Sequence, residues 1–152
     1  WDLGAVALCL SAGVGATLDL RIGGKCGPLS GNPVDLRVTV RGILENHGQY
    51  ALNVRYLLGT AVWVQAANGI DIVLNTVRSQ VFMPEAFEAL GIKLADKKVI
   101  VVKSSQHFHA GYAPIAKQIL YVGSPGSTAQ DFATIPFRKR SLNYWPRVEN
   151  PW

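Results

Sequence analysis

The sequence is poor in charge, in cysteine and in methionine. Charged residues make up 16% of its 152 residues, whereas apolar residues make up 49%. A disordered chain needs low hydrophobicity and high net charge, so this composition excludes disorder. The two cysteines, Cys9 and Cys26, are too few to hold a domain of this size together through disulfides. We expect both to be reduced, small and buried, which favours a cytoplasmic protein.

Long hydrophobic runs are absent too. The apolar stretch at residues 3–16 is shorter than the roughly 20 residues that cross a bilayer, and no basic segment precedes it as in a signal peptide. It follows Asp2 and ends in glycines, which predicts a buried helix with Asp2 as its N-cap. We therefore expect no membrane partner. Because residue 1 is Trp and the only methionine is Met83, we also expect a piece of a longer protein.

The net charge of +5 invites a nucleic-acid interpretation, but the basic residues are mostly scattered singly among the acids. A nucleic-acid footprint needs a basic stripe on one face or helix, so we expect no nucleic-acid partner. The one basic cluster is Arg138, Lys139 and Arg140. A polyanion-binding module that uses this cluster with Tyr144 and Trp145 remains an alternative.

Hydrophobic periodicity predicts the fold. Apolar and polar residues alternate at 16–22 and 34–44, which predicts two strands. Residues 45–49 have the composition of a turn, and a strand is predicted after it at 50–56. Asn68-Gly69 predicts a hairpin between strands at 60–65 and 69–76. The nearly continuous apolar runs at 69–76 and 98–103 predict central strands that are covered on both faces. The remaining predicted elements are short helices at 83–91 and 110–118, a strand at 119–122 and a loop at 124–127.

These elements predict one α/β domain over residues 1–152, with a mixed β-sheet and a few short flanking helices. Polar side chains are densest directly after the predicted strand at 98–103. They are Lys103, Ser104, Ser105, Gln106, His107 and His109. Ligands of α/β sheets gather where loops leave the carboxyl ends of strands, and lysine, hydroxyl and imidazole groups can donate to an oxyanion or a carboxylate. His107 could equally be a helix-entry histidine bonded to backbone.

Two further segments carry candidate residues. Arg78 and Gln80 follow the predicted central strand at 69–76, so we expect them to lie beside the Lys103 segment. Arg78 would then either clamp a carboxylate or pair with Glu85. Lys25 follows two glycines, but the phosphate-loop pattern fails because Asp19 and Cys26 occupy its required positions. Lys25 is then either a ligand-facing ammonium or a solvated lysine. A zinc site needs at least three protein ligands, and the sequence offers no third beside His107 and His109.

Four segments together resemble one family. The segments are, in chain order, residues 12–16 leading to Gly23-Gly24-Lys25, residues 76–80, residues 102–108 with the Pro-Ile-Ala at 114–116, and residues 136–138. They are similar, in this order, to the carboxy-terminal domain of the MlrC family. The resemblance spans nearly the whole chain. Where relatives often carry arginine after the His-Phe pair, this chain has His109, so no carboxylate-clamping role is assigned there.

The resemblance implies a zinc-dependent, metallopeptidase-like amide hydrolase of two domains. Its zinc ligands, one aspartate and two histidines, would belong to the amino-terminal domain, so no metal ligand and no confident catalytic residue is assigned in this chain. This domain would line the substrate cleft or the domain interface. The residues that match the family there are Lys25, Arg78, Gln80, Lys103, Ser104, Ser105, His107 and Phe108. The expected partners are the amino-terminal domain and a small peptide or amide, with homo-oligomerisation left open. The alternative function is a non-catalytic structural or interaction domain.

Overall fold

The computed structural model describes residues 1–124, 126, 128 and 131–152. Its centre is a sheet of four strands in chain order: β1 (Thr17–Ile22), β2 (Val34–Ala51), β3 (Val54–Ala66) and β4 (Asp71–Asn75). The fold class, one small domain of sheet and short helices, is confirmed. All three strand pairings are antiparallel, where a mixed sheet was predicted. β4 lies at an edge of this sheet, so its prediction as a central strand is wrong.

The hairpin of β2 and β3 is the longest element and differs most from its prediction. Glu45 to Gln49 do not form a turn, because β2 continues through them with register shifts on both sides of His47. Such bulges accommodate turn-forming residues inside a strand. The chain instead reverses at Leu52 and Asn53, whose φ angles are 50° and 61°, so the predicted strand at 50–56 is wrong. The Asn68-Gly69 hairpin is confirmed.

Helix α1 (Leu3–Ala12) covers one face of the sheet. It begins at the N-cap Asp2, whose carboxylate accepts from Ala5 N, and ends at Gly13, so both predicted caps are confirmed. One side of the helix is buried and the other exposed. The first core contains Ala5, Val6 and Cys9 of the helix and Leu20, Val38, Val40, Val62, Val64, Ala66 and Leu74 of the sheet.

The opposite face carries the second core. Successive strand residues point to opposite faces, and Trp63 and Val73 alternate with first-core residues and pack here. The second core is formed by Phe82, Ile92, Leu94, Phe108 and Tyr112. Two short helices flank it, α2 (Glu85–Glu88) and α3 (Phe108–Tyr112). α3 starts earlier and ends sooner than the helix predicted at 110–118.

The segments at 98–103 and 119–122, both predicted as strands, belong to no helix or strand of the described residues and pair with no strand of the described sheet. One-turn 3-10 helices occur at Pro28–Ser30, Leu94–Asp96 and Phe132–Thr134. The predicted loop at 124–127 lies partly outside the described residues. Among the helices that are described, none has the length and apolar character needed to cross a membrane.

Candidate functional site

Three polar side chains from two separate segments meet at the surface beside the second core. The Gln80 side-chain oxygen accepts from Ser104 Oγ at 3.1 Å and lies 3.3 Å from His107 Nδ1, which donates when that nitrogen carries the proton. The His107 ring also lies edge-on near Phe82, with centroids 6.4 Å apart. We name Gln80, Ser104 and His107 the Gln80 cluster. The predicted proximity of residues 76–80 to residues 103–107 therefore holds at Gln80.

A buried residue that the sequence did not reveal holds the Gln80 cluster in place. Gln49 of β2 is fully buried, and its amide nitrogen donates to the Gln80 carbonyl at 2.7 Å. Its side-chain oxygen accepts from the backbone N–H of Phe82 and of Met83, each at 3.0 Å. One side chain thus fixes the backbone on both sides of residue 81. The only sequence signal would have been a glutamine at an inward position of a strand.

The other candidate residues of this region differ in their placement. Arg78, Lys103 and Ser105 are exposed. Arg78 forms none of the ion pairs among the described residues, and the Glu85 carboxylate accepts from Tyr50 N at 2.8 Å instead. The alternative Arg78–Glu85 pair is therefore wrong. These exposed groups are free to meet a ligand.

Phe108 and the nearby Tyr112 belong to the second core. Phe108 is buried there, so its contribution to a site is to anchor the start of α3 beside His107. The Tyr112 hydroxyl donates to the Met83 carbonyl at 2.9 Å. Burial, and then the charge of Glu88, raises the pKa of Tyr112 above its usual range. Tyr112 therefore remains a neutral hydrogen-bond donor at physiological pH.

Lys25 is exposed and forms an ion pair with the start of α1. Its ammonium donates to both carboxylate oxygens of Asp2, at 2.8 and 3.0 Å, and to the Arg21 carbonyl at 2.6 Å. Burial alone would raise the pKa of Asp2, but hydrogen bonds from Lys25, Ala5 N and Gly23 N outweigh it and the pKa is lowered. Lys25 thus stabilises the first turn of α1, and its place in the substrate cleft or the domain interface stays a prediction.

That ion pair nevertheless lies at the same end of β4 as the segment leading to Arg78. Asp2 N donates to the Asn75 carbonyl at 3.2 Å, and the Trp1 indole donates to the Thr76 carbonyl at 2.7 Å. Cys26 is exposed, so its predicted burial is wrong, whereas Cys9 is buried and its pKa is raised by burial.

The donor groups of the described residues do not assemble into a metal site. Among them, no three His, Cys, Asp or Glu side chains come together. His47 is buried, with its Nε2 at 3.1 Å from the Ala86 carbonyl, and His107 contacts Gln80. These donors do not fit a zinc ion, so no step of a reaction is derived through one.

The basic cluster of the tail is engaged within the tail itself. The Arg140 guanidinium lies over the ring of Tyr144 at 4.5 Å and over that of Phe137 at 5.2 Å. The buried Tyr144 hydroxyl donates to the Phe132 carbonyl at 2.7 Å. Stacking fixes the position of Arg140 but leaves its positive charge in place, so the polyanion-binding alternative stays a prediction.

Fold and site together define a small domain that presents a braced set of hydrogen-bonding side chains on its surface. The chain matches the family described as MlrC C-terminus over residues 1–139, and it belongs to that family. Microcystinase C of Sphingomonas sp is 38% identical to it over 146 residues, which are 96% of this chain and 28% of that relative. The chain thus spans less than a third of the length of this curated relative.

Proposed function

We propose that this domain lines the substrate cleft of a peptidase-like hydrolase. The observation that carries the proposal is the Gln80 cluster, in which an exposed histidine and a serine hydroxyl are held by an amide from a distant segment. Fixing exposed polar side chains costs conformational entropy and adds little stability, so such bracing favours a role in binding. The similarity to Microcystinase C supports an enzyme context.

The substrate class follows from the donors around the cluster. Arg78 and Lys103 offer positive charge, and Ser105 and His107 offer hydrogen bonds, all from exposed positions. Carbonyl and carboxylate oxygens are the groups that such donors bind. We propose a small peptide or amide as substrate, with its acceptor oxygens against this surface.

The reacting centre is proposed to lie elsewhere in the protein. The zinc ion that the family resemblance implies would be held by an amino-terminal domain, which is the partner of this one. This chain would bind and orient the substrate and would supply no metal ligand. Cytoplasmic location and homo-oligomerisation remain predictions.

The test is substitution of the exposed donors in the full-length protein. Lys103→Ala and His107→Ala should each lower kcat/KM about tenfold or more, since a hydrogen bond to a charged group contributes about 1.5–3 kcal/mol. Lys117→Ala and His109→Ala are matched controls, because both residues are exposed and make no side-chain hydrogen bond to another described residue. If both test variants stay within about twofold of the parent, ~0.4 kcal/mol, the cleft role is wrong.

The alternative of a non-catalytic interaction domain predicts a different pattern. In that case the same substitutions would weaken association or lower the unfolding temperature, while the kcat of the remaining intact protein would stay unchanged. Measuring the unfolding temperature beside the kinetics separates the two functions.

A further inference from the structure

The segment at 98–103 has the side-chain pattern of a strand but lies outside the sheet. Val99 and Val101 are 76% and 82% exposed, whereas Ile100 and Val102 between them are half-buried against the second core. This alternation with a period of two is that of a β-strand with one face on a core. The outward face is apolar as well, which is unusual for a strand that meets water.

The segment at 119–122 repeats this arrangement after α3. Ile119 packs against the second core, while Leu120 and Val122 are 73% and 83% exposed. The Tyr121 ring lies 5.6 Å from that of Phe108, centroid to centroid. Both segments therefore rest on the same core and turn further apolar side chains outward.

The backbones of the two segments are unpartnered within the described part of the chain. No backbone hydrogen bond joins residues 98–103 or 119–122 to any other residue in the described ranges. An apolar segment with alternating exposure and unpaired N–H and C=O groups can pair with another strand. A strand, a helix and a second strand in this order also form the unit that connects parallel strands, and α3 lies between the two segments.

We propose that residues 98–103 and 119–122 are strands of a sheet completed by the part of the same protein that lies outside this chain. The length of the relative is the first argument for this occupant. This chain corresponds to 28% of that relative, so most of such a protein lies outside this chain and could cover the two segments. Continuity with the candidate site is the second. Residues 98–103 run directly into Ser104 and His107, so pairing places the Gln80 cluster at the carboxyl end of a strand in the shared sheet. The inference rests on the two-part cleft proposed above and names the surface that joins its parts.

Hydrogen exchange of the unmodified full-length protein tests the pairing. Amides of both segments should exchange about a hundredfold or more slowly than those of the hairpin tip at 52–53, because paired strand amides open only by local unfolding. Exchange as fast as at the tip would overturn the proposal. So would protection that disappears when the protein is diluted to a monomer, as judged by light scattering, because the occupant would then be a second copy.

Cysteine labelling tests the outward face in a second way. In a Cys26→Ser background, Val101→Cys should react with a maleimide at least about a hundredfold more slowly than Leu52→Cys, since burial restricts access to the thiol. Leu52 is the matched control because it is 91% exposed at the hairpin tip. Equal labelling rates would contradict the proposal. Neither experiment measures catalysis, so their results are independent of the kinetic test. The kinetics can contradict the cleft role while exchange and labelling support the shared sheet, or support the cleft role while they contradict the shared sheet.

Discussion

Replacing Gln49 by methionine tests whether one buried amide holds the candidate site together. The side chain makes three hydrogen bonds, to the Gln80 carbonyl at 2.7 Å and from Phe82 N and Met83 N at 3.0 Å. Methionine has a similar length and fills most of the space, so the substitution chiefly removes the polar partners. Three backbone groups would lose their hydrogen bonds.

The expected cost follows from how far each group is from water. Phe82 N–H lies in a buried environment and carries the full penalty of about 1–3 kcal/mol for an unsatisfied donor. The Met83 N–H and the Gln80 carbonyl are partly buried, and water can replace part of the lost bonding, so each adds less, about 0.5–1 kcal/mol. We expect a total of about 2–5 kcal/mol.

Native-state hydrogen exchange in the full-length protein measures this loss locally. A cost of about 2–5 kcal/mol corresponds to exchange at Phe82 and Met83 that is roughly 30- to 5000-fold faster. The kcat/KM value should fall too, because the Gln80 carbonyl is no longer fixed. Gln106→Met is the control, since Gln106 is exposed and should change stability by less than about 0.5 kcal/mol. Exchange at Phe82 and Met83 less than about threefold faster than in the parent would refute the bracing role of Gln49.

Two further predictions concern the scaffold. Asp2→Asn should destabilise the protein at neutral pH, because the ion pair to Lys25 is lost. The pKa of Asp2 is lowered in the folded state. The stability that the Asp2 carboxylate adds is therefore present above about pH 4 and is lost as the pH falls through the folded pKa. Urea unfolding of parent and variant at pH 7 and pH 3 checks this, and an equal difference at both pH values would contradict it. Gly59→Ala should cost at least about 2 kcal/mol, because φ is +77° and the added Cβ would overlap Thr76 Oγ1. Gly69→Ala, with φ of +84° and open space around it, should cost about half as much in the same unfolding assay, and equal costs would show that the overlap is relieved.

The parts of the fold that sequence predicts well are those whose signals are local. The first helix carries its own caps in Asp2 and Gly13, and Gly69 of the Asn68-Gly69 pair supplies the positive φ, 84°, that this hairpin turn needs. The β2–β3 turn carries no such signal. Leucine at position 52 rarely adopts a positive φ, whereas residues 45–49 have turn composition that the bulges near His47 absorb.

The candidate site was predicted only in part, because some of its residues carry a local sequence signal and others do not. Polar residues directly after strand-like segments identified both Gln80 and the Ser104–His107 segment, and the structure brings them into contact. Lys25 has the same composition signal beside two glycines, but its partner Asp2 lies at the start of a helix, 23 residues away. Gln49 went unnoticed because residues 45–49 were predicted to form a turn, where a glutamine side chain is expected to face solvent, whereas β2 continues through them and buries it.

At residues 98–103 the prediction and the structure disagree in one respect only: the sequence predicts a strand covered on both faces, and the structure covers one face. Its apolar residues occur at consecutive positions, as in a strand covered on both faces, and its side chains do alternate between a core and the surface. What the described chain lacks is a cover for Val99 and Val101 and partners for the backbone between them. A sequence pattern reflects the environment of the whole folded protein, whereas the sheet here is formed by antiparallel neighbours in chain order. A parallel, doubly covered strand requires partners from distant chain, so the pattern at 98–103 is itself an argument that those partners lie in the remainder of the protein.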